Sequence, residues 1–466
     1  MSAGVRSEQV REICSAGLWT RAKAGLYRII VRALFSCFRF LVWRSRSDWN
    51  WKTRNPRYWP ALESSPHCRL VWFHAASAGE LEMLWSVARE LKKKDPNLQF
   101  GFSVFSLSGE PKLNAIRDEF SPVYSGPSPL EGDWSSFFSQ VEKHTGAFPS
   151  IFVTAKYEAW PELWGVLSQK KIPLLLVNAQ LRRSLIWGER LARWFFGGVP
   201  ELFFSTAGRR DSETLEQAFS LVTSTRKVRQ CGDPRWDQVQ FRLAKRVGAV
   251  DRLKLLGESE KLPRPWVVVG SAWTEDLEFL LRASMKGKGF RGTFWWVPHR
   301  LDDEQSRDWG RRIEKCQAGR ILLVRAQGVS SLQSGRPSLQ VGENNGCSVI
   351  VQQMGILAEL YSVGDAAWVG GGFKTGLHSV IEPALSDLWI GAGALKASRF
   401  SEALELSEQG QLSLFSDQSS GADWLEKVQS PPSIRVREQW RGWREAHQLR
   451  AASRVSDWVI EIVSRL

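Results

Sequence analysis

Two stretches of this chain carry residue types that can do chemistry on a hydroxyl or a phosphate. The first is His74-Ala75-Ala76-Ser77-Ala78-Gly79-Glu80, which follows a strand-like run at 69–73. A carboxylate at position 80 would lie in the first turn of a helix. There the helix dipole keeps it ionised and able to take a proton from a hydroxyl. A glutamate that merely complements the dipole would sit at the same place. The second stretch is Gly370-Gly371-Gly372-Phe373-Lys374-Thr375-Gly376-Leu377-His378-Ser379-Val380-Ile381-Glu382-Pro383-Ala384, behind the apolar run 366–369. Glycines after a strand let backbone N–H groups approach a phosphate, and Glu382 can accept hydrogen bonds from both hydroxyls of a ribose. The plainer readings are a tight turn for Gly371 and Gly372, and a first-turn acid beside Pro383 for Glu382.

Other residues around these stretches have two readings each. His378 can donate to a phosphate or a carboxylate, or be structural. Met354 and Gly355 open a helix-like segment that could bring N–H groups to a nucleotide, and the methionine could equally fill the core. Arg300 could pair with an anionic ligand or lie in water. Glu158 could shape a binding site or form a buried ion pair, and Lys156 beside it is a candidate partner for an anionic group.

The elements that must position these residues follow a βαβ rhythm from Cys68 onward. Apolar runs at 69–73, 98–105, 151–154 and 174–177 each lead into a polar loop or helix, with a weaker candidate at 203–205. After a charged helical stretch near 236–262 the rhythm restarts at 265–270. It continues through 294–297, 321–324, 348–351 and 366–369, and 388–390 closes it. This predicts an α/β chain of two Rossmann-like domains facing a central cleft. The first covers 66–235 and the second 262–435. Ligands bind outside the carboxyl ends of such strands. The segment 436–466 reads as one amphipathic C-terminal helix.

The 466 residues suffice for two cores. Six scattered cysteines argue against a zinc ribbon or a disulfide framework and fit a reducing compartment. No Asp-x-Asp pair for a nucleotide-bound cation is found, so no metal and no cofactor are expected. Of the +14 net charge, +9 lies in residues 1–57, which hold ten arginines and two lysines against three acids. The body lacks basic motifs interleaved with stacking aromatics, which argues against a nucleic-acid partner.

The charged arm, residues 1–60, reads as a basic amphipathic helix. Arg21, Arg28, Arg32, Arg39 and Arg46 share a stripe about 40° wide on a helical wheel. Leu26, Ile29, Ile30, Leu34 and Phe38 fill much of the rest, with Trp19, Trp43, Trp49 and Trp51 flanking. Arginines interrupt the apolar run, so it is too polar to span a bilayer. Its composition suits an anionic membrane surface, the alternative being a helix packed on the body with its arginines in water.

At these residues the chain resembles the Kdo transferases, which attach 3-deoxy-D-manno-octulosonic acid (Kdo) to a lipid A precursor. His74–Glu80 is similar to that family's His-x-x-Ser-x-Gly-Glu. Glu158-Ala159-Trp160-Pro161 is similar to its Glu-x-Trp-Pro, and Val177-Asn178-Ala179-Gln180-Leu181-Arg182 to its Val-Asn-Ala-Arg-Leu. Gly232-Asp233-Pro234-Arg235-Trp236-Asp237 stands where Gly-Asn-x-Lys-x-Asp is usual. Gly270-Ser271-Ala272-Trp273-Thr274-Glu275, Val297-Pro298-His299-Arg300 and Met354-Gly355-Ile356-Leu357 continue the order up to Gly370–Pro383. Departures lie at Asp233, Arg235, Ser379 and the His299-Arg300 order.

The resemblance implies a B-type glycosyltransferase fold, with 66–235 as acceptor domain and 262–435 as nucleotide domain. It also implies CMP-Kdo as donor, a lipid A precursor as acceptor, and an inverting reaction with Glu80 as general base. It places Ser271, Pro298, His299, Arg300, Met354, Gly355, Gly371, Gly372, His378, Ser379 and Glu382 around the donor. Ser77, Gly79, Glu158, Asn178, Arg182, Asp233 and Arg235 fall on the acceptor side or the cleft. It also implies a place on the cytoplasmic side of the inner membrane. A B-type glycosyltransferase with another nucleotide sugar, or a non-catalytic membrane-binding homologue, are the rival expectations.

Overall fold

The computed structural model describes residues 19–34, 69–220, 226–245, 253–254, 256–286, 290–316, 320–325, 328–331, 346–353, 355–416 and 421–465. The chain divides into two compact units, 1–238 with 447–466, and 239–446.

The first unit opens with helix α1 (residues 19–34). It then alternates β1 (Leu70–Ala75), α2 (Ala78–Lys94), β2 (Gln99–Val104), β3 (Tyr124–Pro127), α3 (Trp134–Thr145), β4 (Ile151–Ala155), α4 (Pro161–Gln169), β5 (Leu174–Val177), α5 (Arg183–Phe196), β6 (Leu202–Thr206) and β7 (Arg226–Gln230). The sheet order is β3-β2-β1-β4-β5-β6-β7, every neighbour parallel. β1 lies between β2 and β4, so the winding reverses there. That is the topological switch point where open sheets bind ligands. Glu80 follows β1 and Glu158 follows β4.

The second unit holds most of α6 (Arg235–Ala244), then β8 (Trp266–Ala272), α7 (Thr274–Ser284), β9 (Thr293–Pro298), β10 (Ile321–Arg325), β11 (Gly328–Ser331), β12 (Cys347–Gln352), α8 (Leu357–Val363), β13 (Ala366–Val369), α9 (Ile381–Leu385), β14 (Trp389–Gly393) and β15 (Leu412–Phe415). Its order is β11-β10-β12-β9-β8-β13-β14-β15, parallel except for the β10–β11 hairpin. Here β8 lies between β9 and β13, and the loops after β8 and β13 carry the glycine stretch and its neighbours. Buried faces on both sides of each sheet explain why the strands read as continuous apolar runs. Trp72, Trp164, Trp295, Trp296 and Trp368 are fully buried core residues.

Two expectations need correction. The strand series does not close at 388–390, because β15 adds a further parallel strand beside β14. The segment 436–466 is two helices, α10 (Ile434–His447) and α11 (Ala451–Val463). Arg450, at φ 64° in the left-handed region, breaks the run. Trp440 of α10 packs edge-on against Trp389, whereas α11 lies with the first unit and sends Trp458 onto Phe203.

Helix α1 is docked on the first unit through Arg28 and Arg32, although Arg21 and Arg32 stay exposed. Arg28 Nε donates to Glu162 Oε1 at 2.5 Å, and Arg32 Nη2 donates to Gly132 O at 2.9 Å and Asp133 Oδ1 at 2.7 Å. Tyr27 Oη donates to Glu131 Oε1 at 2.9 Å. Glu162 is fully buried, and Glu131 accepts its backbone N–H at 2.6 Å. Burial pushes the Glu131 carboxyl up to about 8. A buried carboxylate without its cation is costly, so this latch is what the arginine stripe satisfies. The apolar residues Trp19, Leu26, Ile29, Ile30 and Leu34 point outward instead, with Ile29 68% exposed. Lys23 lies over the ring of Trp194, which is itself exposed on α5 together with Trp187. Arg39, Arg46, Trp43, Trp49 and Trp51 lie outside the described residues. Among the described residues no helix is long and apolar enough to cross a membrane.

Candidate active site

The β1–α2 turn is built by its own sequence. Ser77 takes the extended N-cap conformation and its Oγ accepts the Glu80 N–H at 3.5 Å, while Glu80 Oε2 accepts the Ala76 N–H at 2.7 Å. This reciprocal capping holds the Glu80 side chain at the helix N-terminus and leaves Oε1 without a hydrogen bond among the described residues. Burial pushes the Glu80 carboxyl above its usual range, and the Ala76 N–H, Lys156, the Ser77 backbone and Arg235 pull it back. A Cβ at Gly79 would meet no heavy atom within 4 Å, so packing does not demand glycine there.

The neighbouring strand ends bring in the other predicted residues of this unit. Glu158 accepts from Trp160 Nε1 at 2.6 Å; burial first, then the Glu80 charge, pushes it up to about 7. Two carboxyls that repel each other, one poised near neutrality, are the arrangement expected around a general base. Lys156 and Asn178 both adopt left-handed backbone, at φ 61° and 53°, after β4 and β5. Asn178 is buried and its Oδ1 finds no partner among the described residues. The Arg182 guanidinium lies over the Tyr157 ring at 5.1 Å. Asp233 and Arg235, two of the departures, answer each other. Arg235 donates from its backbone N–H at 2.9 Å and from Nε at 2.8 Å to the buried Asp233 carboxylate.

In the second unit, Asp276 organises the site. Its Oδ2 accepts the N–H groups of Trp273 and Gly371, each at 3.0 Å, and its Oδ1 accepts Trp368 Nε1 at 3.0 Å. The carboxylate thus ties the turn after β8 to the glycine loop after β13. The Gly371 N–H is therefore committed within the protein. Gly371 has φ +88°, and a Cβ at Gly372 would lie 2.2 Å from Gly393 O, so these glycines serve the turn and its packing on β14. Ser271 is also left-handed, at φ 51°, where the β8–β9 register shifts. Pro298 ends β9, and His299 N–H donates to Ala272 O at 2.9 Å. Arg300 is exposed beside it.

Glu382 is held from two sides. Ser379 Oγ donates to Oε2 at 2.7 Å and Arg242 Nη2 donates to Oε1 at 2.9 Å. The serine that departs from the family pattern still orients the carboxylate. Met354 lies outside the described residues; Gly355 has φ +74° in the turn before α8. Among the described residues no cluster of three His, Cys, Asp or Glu forms a metal site.

Residues 49–238 match the family described as 3-Deoxy-D-manno-octulosonic-acid transferase (kdotransferase). A 3-deoxy-D-manno-octulosonic acid transferase of Aquifex aeolicus is 27% identical over 70% of this chain and 76% of its own. The corresponding protein of Chlamydia muridarum is 25% identical over 73% and 74%. That of Haemophilus influenzae is 23% identical over 76% and 78%. The chain is thus similar to Kdo transferases over 70% or more of its length. Its fold also matches structures outside the Kdo transferases. UDP-GlcNAc 2-epimerase from Neisseria meningitidis bound to UDP-GlcNAc aligns with a TM-score of 0.52 at 13% identity, over 85% of this chain and 100% of that one. The S. aureus MnaA–UDP structure aligns with a TM-score of 0.52 at 11% identity, over 85% and 98%. At such identities the likeness concerns the fold alone, two parallel-sheet α/β domains of the B-type glycosyltransferase kind.

Asp276, Trp273 and Arg242, which hold these loops and Glu382 in place, are not among the site residues that the sequence suggests. Asp276 lies three residues after Trp273, at a helix start, and that capping spacing was the available signal. Asp276→Asn should place an NH2 against one of three N–H donors. We expect a loss of about 2 kcal/mol in unfolding free energy, measured by urea titration, with weaker nucleotide binding. Unchanged stability would mean that the two loops are held by other contacts.

Proposed function

We propose that the protein transfers Kdo from CMP-Kdo to a hydroxyl of a lipid A precursor of the tetra-acylated disaccharide type, releasing CMP with inversion. The observation that carries this is Glu80. It is fixed by its turn at the switch point of the first sheet, with one carboxylate oxygen outside the capping bond. Glu80 takes the proton of the acceptor hydroxyl as that oxygen bonds to the anomeric carbon. The bond from this carbon to the phosphate oxygen breaks, and its electron pair leaves with CMP. A sugar hydroxyl is a weak nucleophile, so a base within hydrogen-bond reach lowers the barrier. Glu382, oriented by Ser379 and Arg242, receives the ribose hydroxyls. His378, His299, Arg300, Ser271, Pro298 and the Met354-Gly355 turn surround the rest of the donor. Ser77, Gly79, Glu158, Asn178, Arg182, Asp233 and Arg235 frame the acceptor side.

The acceptor is a lipid, and the outward apolar face of α1 with Trp187 and Trp194 supports docking on the cytoplasmic face of the inner membrane. The test is CMP release by purified protein given CMP-Kdo and tetra-acylated precursor in mixed micelles. Release that depends on both substrates is expected. Release with another nucleotide sugar and none with CMP-Kdo would transfer the assignment to a different donor. The Asp233–Arg235 pair and the His299-Arg300 order favour that second reading.

A further inference from the structure

Three rings stack at the strand ends of the second unit. The Trp273 ring lies 4.7 Å from that of His299 at 20°, and His299 lies 4.7 Å from His378 at 28°. A hydrogen bond joins the outer members: Trp273 Nε1–H donates to His378 Nε2 at 3.3 Å. Trp273 is itself anchored. It is the extended N-cap of α7, and its backbone N–H is held by Asp276.

An indole N–H only donates, so the imidazole nitrogen facing it must carry a lone pair. Neutral His378 is therefore protonated on Nδ1. Adding a proton to Nε2 would set two N–H groups against each other, so the imidazolium forms only by breaking this bond. The charged groups around the stack disfavour the imidazolium as well. On the loop after β9, Arg300 adjoins His299. On the glycine loop, Lys374 lies 5.5 Å from the Trp273 ring, and Lys396 reaches Thr375 O of the same loop. The nearby carboxylates are engaged elsewhere, Asp276 on three N–H groups and Glu275 on Lys374 at 2.8 Å. Burial and then Arg300 hold His299 below the usual histidine range; burial and then His299 do the same for His378.

We propose that Trp273 is a positioning residue that locks His378 as the neutral Nδ1–H tautomer, so that His378 meets the donor's anionic group with a fixed, uncharged N–H. The proposal rests on the donor-binding reading above, but the tautomer exists without any donor. A neutral donor group follows the charge that develops on the leaving phosphate, yet holds the departing nucleotide less tightly than an imidazolium would.

The experiment is 15N NMR of the full chain labelled at histidine, with His378→Gln to assign the resonance. At pH 7 the wild type should show Nδ1 protonated and Nε2 bare. Trp273→Phe keeps a ring in the stack and removes the N–H. It should release Nε2 for protonation and raise the His378 titration midpoint by about one pH unit. The KM for CMP-Kdo should stay flat between about pH 7.5 and 6 in the wild type and fall about threefold towards acid in the variant. An Nε2–H tautomer or an imidazolium in the wild type at pH 7 would overturn the lock. So would a Trp273→Phe protein with an unchanged His378 resonance and pH profile. If that variant does not fold, the wild-type spectrum alone decides. An intact Nδ1–H tautomer in a protein that binds no CMP-Kdo would sink the donor reading and leave the lock standing.

Discussion

Glu80→Gln should lower kcat for CMP release by about a thousandfold, within the range that positioned general bases contribute. Its unfolding free energy should stay within about 1 kcal/mol of wild type, because the glutamine oxygen can still accept the Ala76 N–H. Circular dichroism and thermal melts beside the turnover assay separate the two effects. A non-catalytic membrane-binding homologue would not register the change, and an unaltered rate would remove Glu80 from the mechanism. The pH profile gives an independent check. The base works only when ionised, and its carboxyl is raised by burial. The rate must therefore fall as pH drops through that raised value. Glu158, pushed up to about 7 by burial and by the Glu80 charge, takes up a proton before Glu80 does. Replacing Glu158 with glutamine should therefore leave the acid limb in place, because Glu158 is already neutral where Glu80 takes up its proton; a shifted limb would mean that the two carboxyls titrate together.

The difference between what the sequence tells and what it hides is one of range. Glu80 was legible because strand, small-residue turn and first-turn acid are consecutive in the chain. His74 in the same motif is a core residue, fully buried with Nδ1 on Ser103 Oγ at 3.1 Å, and nothing local marks it so. The weak run at 203–205 became β6 because it pairs with β5 and β7 while Phe203 packs on Trp458 and Phe204 on Phe219. β7 itself, Arg-Lys-Val-Arg-Gln, is an edge strand whose charges conceal it from an apolar pattern. Arg28 and Arg32 form a stripe that periodicity reveals but cannot orient. Their partners Glu162 and Asp133 are 134 and 101 residues away. The same holds for Asp276, whose acceptor role emerges only when β13 lies beside β8. Glycines at 371 and 372 announced a loop, but which N–H groups it keeps free depends on that distant carboxylate. The break at Arg450 has neither glycine nor proline to signal it.

Because Arg28 and Arg32 pair with the first unit, much of the face that α1 leaves outside is apolar, and its removal should uncouple the protein from lipid. Ile29→Glu with Ile30→Glu places two carboxylates on that face while leaving Tyr27, Arg28 and Arg32 on their partners. Each large aliphatic side chain is worth about 1.5–3 kcal/mol when taken fully out of water. Even half of that per residue, with charge repulsion from an anionic leaflet added, predicts at least a tenfold loss of partitioning. Sedimentation with vesicles of zwitterionic and anionic phospholipid measures it. Attraction between exposed charges weakens with salt, whereas burial of Leu26, Ile29, Ile30 and Leu34 does not. Wild-type binding should therefore survive about 0.5 M salt in part, and the double variant should fail at any salt. Turnover on a short-chain, water-soluble acceptor should be unchanged, because both isoleucines are exposed on α1 and support no buried packing. Undiminished vesicle binding by the double variant would show that the outward face of α1 is not the membrane contact.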